Sequence, residues 1–216
     1  MSRPSPVLEP PRRTPDLPIG PGGPHVTTGD GSSGAAARPP ASAASIAVWL
    51  LVGAVTILFA AVTSTLLARR VEADWRPGPL PAALWLGTIV LAASSLAMEW
   101  ARARGRREHL DQLWAGLVAT STLGAAFLVF QWTAWRQLAA MGVYLSTNPH
   151  SAFFFLLTGL HGLHLAGGLF GLAYALGRTR RARSATEALG AVDPAAIYWH
   201  FLTVLWLYLF AILFAL

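Results

Sequence analysis

The sequence contains no cysteine. That excludes disulfides, thiolate nucleophiles, iron–sulfur clusters and Cys-based zinc sites. It leaves the compartment open, because spanning helices need no disulfide staple. Lysine is missing too: all 16 basic residues are Arg. Charge of either sign is scarce, at 12% of residues, where soluble domains carry about 25%. The net charge is +6, but the Arg residues cluster between apolar runs. They do not share a face with interleaved aromatics, which argues against a nucleic-acid partner. Gly-rich phosphate loops, Ser–His–Asp arrangements and paired catalytic carboxylates are not evident. The early glycines lie among prolines, not after a strand. No catalytic residue is assigned.

What is present is apolar residue, 54% of the chain, gathered into five blocks of about 20, the length that crosses ~30 Å of hydrocarbon as a helix. The blocks run over about 45–67, 80–100, 113–135, 151–176 and 195–216. Backbone groups cannot go unpaired in lipid, so each block is predicted helical. The fold class is all-α, a polytopic transmembrane bundle of five spanning helices occupying 44–216. Residues 1–43 hold 10 of the 15 prolines along with many Gly, Ser and Ala. They are predicted to form a disordered cytoplasmic tail. They do not read as a signal peptide, since the first apolar block starts too late and runs too long.

Asn148-Pro149 and Asp193-Pro194 each place a capping side chain before a proline, and predict the starts of the fourth and fifth helices. Trp75, Trp100, Trp132, Trp135 and Trp199 lie near block ends, where amphipathic rings settle at the interface. With the tail inside, 12 of the 16 Arg fall on the inner side. Only Arg69, Arg70, Arg76 and Arg136 fall outside. The positive-inside rule therefore predicts N-in and C-out, which an odd number of spans satisfies.

Ionisable residues within a span are costly and need a reason. His161 and His164 in the fourth block and His200 early in the fifth are the candidates; Glu99 marks the inner end of the second. His161 and His164 are three apart on one helical face. As metal or haem ligands they lack partners, because no intramembrane carboxylate or thiol completes a site. The plainer reading is neutral imidazoles hydrogen-bonded between helices, with no metal. Gly159, Gly162, Gly167 and Gly171 line the same helix, and the G-x-x-x-G pair at 167 and 171 permits close packing, within the chain or against another subunit. Pumps and ion-coupled transporters relay protons through buried Asp, Glu or His chains. Two histidines on one helix make a poor relay, so the chain reads as a helper, not a pump. A small transporter would also want internal repeats, and none is evident.

The stretch SAFFFLLTGLHGLHLAGGLFGL, residues 151–172, resembles the T-G-x-H-G-L-H-x-x-x-G helix of cytochrome c oxidase subunit III. IYWHFLTVLWLYLF, residues 197–210, is similar to that family's closing Y-W-H-F-x-x-x-x-W helix, and GAAFLVFQ, Gly124 to Gln131, to its G-x-x-F-L-x-x-Q segment. Trp75, Pro77 and Thr88 to Ser95 match a W-P-P…N-T…S-S pattern more loosely. The resemblance covers about 48–216 and implies the five-helix short form of the subunit, N-in and C-out.

That resemblance implies an accessory subunit of a haem-copper terminal oxidase, in the cell inner (plasma) membrane. It would pack against subunit I in a complex that also holds subunit II, and would support oxygen reduction coupled to proton translocation. Haem and copper would belong to the partners; this chain would carry none and would bind phospholipid. His161, His164, His200, Asp193 and Gln131 would then form buried polar contacts, and Tyr198, Trp199 and Trp206 would contact lipid or neighbouring helices. The chain departs from the family pattern in three places. The acid usual in the first block is absent near Val55. Ala134 stands where a Glu often follows the third-helix Gln, and Thr203 replaces the Asp of Y-W-H-F-x-D. Two alternatives stay open: the related accessory protein of a nitric oxide reductase, and a membrane cytochrome binding its own haem.

Overall fold

The computed structural model describes residues 43–72 and 81–215. The expected disordered tail, and Trp75 and Pro77, lie outside them. The described residues form five helices: α1 (Ala43–Arg69), α2 (Ala82–Gly105), α3 (Leu110–Ala140), α4 (Pro149–Arg181) and α5 (Ala185–Ala215). Each is long and apolar enough to cross a membrane. All-α architecture with five spans follows from the block lengths, as the sequence predicts.

Helix ends extend past the apolar blocks, because once a turn is hydrogen-bonded each added residue gains a bond at little cost. α4 begins where its cap residue sits. The Asn148 side chain accepts from the Ser151 backbone N–H at 2.9 Å, and the Ser151 hydroxyl accepts from the Asn148 N–H at 3.2 Å. This reciprocal box satisfies two otherwise orphaned donors.

α5 corrects the sequence reading. Asp193-Pro194 does not start this helix; Pro194 lies inside it, and the helix begins at Ala185. Proline removes one backbone donor and crowds the preceding turn. The turns before it are held from outside. Glu108, in the α2–α3 connection at φ 58°, accepts from the Ala185 backbone N–H at 3.1 Å and from the Thr186 hydroxyl. Asp193 is not a cap either: its carboxylate accepts from Arg102 Nε at 2.9 Å.

α2 and α3 pack along each other, α4 and α5 do likewise, and α1 rests on α4 and α5. α1 buries only one stripe, Val55, Phe59, Thr63 and Leu66, and leaves large apolar side chains such as Leu50 and Ile57 exposed. This outward apolar surface is what a helix facing lipid requires. The core is built mainly from α2, α3, α4 and α5, with Trp199 and Trp206 its largest fully buried side chains.

Candidate functional site

Polar side chains that bridge helices concentrate along the α2–α5 contact. Ser95, Glu99 and Arg102 recur at spacings of four and three, so they share one face of α2. Asp193 and His200, seven apart on α5, lie two turns from each other and meet that face. Ser95 Oγ and His200 Nδ1 are 2.5 Å apart, and His200 Nε2 is 2.6 Å from Glu99 Oε1. Arg102 Nη1 donates to the same Glu99 oxygen at 2.5 Å, and Arg102 Nε donates to Asp193. The result is one continuous chain: Ser95, His200, Glu99, Arg102, Asp193.

The direction of each bond follows from the donor inventory. A carboxylate only accepts, so His200 Nε2 carries the hydrogen toward Glu99. A neutral imidazole then accepts at Nδ1 from the Ser95 hydroxyl. Ser95 lies ten residues before the end of α2, so the chain reaches roughly 15 Å along the helix from that end. It passes from charged groups near the helix end to a hydroxyl within the apolar span.

Beyond Ser95 the contact is aromatic. Trp199 Nε1 donates to Ser94 Oγ at 2.9 Å, and Ser94 Oγ donates to the Thr120 carbonyl at 3.1 Å. Trp206 Nε1 donates to Thr88 Oγ1 at 2.9 Å. Both indoles are 1% exposed, so neither reaches lipid and neither sits at an interface. Burial with a satisfied N–H is what a core tryptophan needs. Tyr198 alone of the three expected contact aromatics is only partly buried, with its hydroxyl 3.5 Å from the His164 carbonyl.

The two histidines of α4 face different neighbours. His161 is fully buried. Its ring lies 5.1 Å from Trp206 and edge-on to Phe127 at 5.8 Å. Neither ring nitrogen has a hydrogen-bond partner among the described residues. His164 Nδ1 bonds the Leu160 carbonyl at 2.7 Å, and its ring meets Phe59 of α1 edge-on at 5.6 Å. Gln131 is 5% exposed, and its amide likewise has no partner among the described residues. Among the described residues no three His, Asp or Glu side chains cluster as metal ligands.

The glycines divide. A Cβ at Gly167 or Gly171 would meet nothing within 4 Å; both line a groove between α1, α4 and α5. Close approach inside the chain occurs elsewhere, at Gly116 against Ala101, Gly124 against Trp199, and Gly168 against Leu202 and Trp199. A Cβ at Gly159 or Gly162 would meet Trp135 or Leu128 more loosely, at 3.5 and 3.9 Å. The α1–α4–α5 groove encloses about 480 Å³ and includes Val48, Tyr198, Pro194, Arg178 and Glu187. Its walls are apolar along the spans, and its charged groups gather at one end.

Sequence reading names Asp193 and His200 separately and reads Arg102 only as a topological charge. It misses their union with Glu99 and Ser95. The signal was present as the 95/99/102 stripe at the end of an apolar block, but its partner helix could not be read from spacing.

The family model for cytochrome c oxidase subunit III matches residues 46–216, which include all five helices apart from the first turn of α1. A probable cytochrome c oxidase subunit 3 of Mycobacterium tuberculosis (strain ATCC 25618 / H37Rv) is 28% identical over 182 residues, covering 82% of this chain and 89% of that one. The cytochrome c oxidase subunit 3 of Bacillus sp. (strain PS3) is 30% identical over 178 residues, covering 77% and 82%. That of Synechocystis sp. (strain ATCC 27184 / PCC 6803 / Kazusa) is 34% identical over 177 residues, covering 78% and 73%.

Proposed function

The chain belongs to the cytochrome c oxidase subunit III family, and from that premise we propose that it is the accessory, non-catalytic subunit of a haem-copper terminal oxidase. It packs beside subunit I in an inner-membrane complex that also holds subunit II, with its N-terminus inside. It steadies the subunit that reduces oxygen and translocates protons. The relatives named above are oxidase subunits, which favours that complex over a nitric oxide reductase. The observation that carries the non-catalytic reading is His161. Its imidazole is packed between Phe127 and Trp206, whereas an axial haem ligand would need a ring nitrogen facing open space for the iron.

Phospholipid in the α1–α4–α5 groove is part of this proposal. Arg178 at the groove's charged end suits a phosphate. Gly167 and Gly171 leave room for chains, and Tyr198 offers a hydroxyl at the wall. The Ser95–His200–Glu99–Arg102–Asp193 chain locks α5 to α2, so that the two helices move as one body beside the partner.

Deletion of the chain tests the proposal. Oxygen consumption by the remaining complex is expected to start near its normal rate per haem and then decay faster with turnover. Unchanged lifetime on deletion would contradict the supporting role.

A further inference from the structure

We draw no further inference here: the strongest candidate, the hydrogen-bonded side-chain cluster of Ser95, His200, Glu99, Arg102 and Asp193 between α2 and α5, belongs to the site already described.

Discussion

The indole of Trp199 lies directly on the backbone of Gly124: a Cβ added there would stand 2.6 Å from Cζ2 of the ring. A Cβ at Gly168 would meet the same indole at 3.3 Å, and its N–H donates to Ser94. One side chain of α5 therefore fixes the spacing of α2, α3 and α4 together. Gly124→Ala should destabilise the chain by about 1–3 kcal/mol, the cost of overpacking. Trp199→Phe should recover part of that loss in the double variant, because the pair couples directly. Unfolding by denaturing detergent, followed by helix content, measures all three. Additive effects would mean the contact does not set the packing.

The Arg102 guanidinium joins Glu99 and Asp193 across two helices, with its own side chain 17% exposed. Arg102→Ala leaves the Glu99 and Asp193 carboxylates without their shared donor. A loss of about 1–2 kcal/mol is expected, since hydrogen bonds to charged groups exceed neutral ones but Glu99 is half exposed and screened. Glu99→Gln keeps an acceptor for both neighbours and should cost less than Arg102→Ala. The same unfolding measurement ranks them, and the reverse order would contradict the bonding scheme.

Glu108 lies outside the spanning segments. Hydrogen bonds from the Thr186 hydroxyl and from the Ala185 and Thr186 backbone hold its carboxyl below the usual glutamate range. A carboxyl depressed in the folded state stabilises above its unfolded pKa, and the contribution fades as pH falls through the folded value. Amide exchange at Ala185 and Thr186 should therefore accelerate as pH drops below the ordinary glutamate range of about 4.3, once intrinsic rates are divided out. Glu108→Gln should remove most of that pH dependence. Protection that stays flat with pH in the unaltered chain would remove Glu108 from this role.

His161 gives the sharpest distinction between packing and redox chemistry. Both ring nitrogens lack a partner among the described residues, so His161→Leu exchanges an unsatisfied polar ring for an apolar side chain of similar bulk. Stability should change by no more than about 1 kcal/mol in either direction. The optical spectrum of the complex should be unaltered. Loss of a haem band on this substitution would make His161 a ligand.

The fold was legible because lipid imposes a simple rule: five apolar runs of spanning length must be five helices. Asn148-Pro149 was legible too, since its cap needs only residues three apart. Asp193-Pro194 carries the same local signature and misleads. There the deciding contacts come from Arg102 and Glu108, about 80 to 90 residues away in sequence. The tight glycines were hidden for a related reason. Gly167 and Gly171 have the conspicuous spacing, yet Gly116, Gly124 and Gly168 meet the opposing bulk. Which glycine is used depends on where Trp199 and Ala101 lie, and periodicity within one helix does not encode that. His161 and His164 share a helical face in sequence, but neighbours on three other helices divide them, with Trp206 and Phe127 on one side and Phe59 on the other.

Isolation of the tagged chain from its own membrane in mild detergent, with an optical spectrum and metal analysis taken before and after companions are stripped away, tests the central claim most directly. The chain should bring down a partner bearing haem and copper, and should itself be left colourless and metal-free once separated. A Soret band or copper that stays with the stripped chain, or recovery with no haem-bearing partner at all, would contradict it.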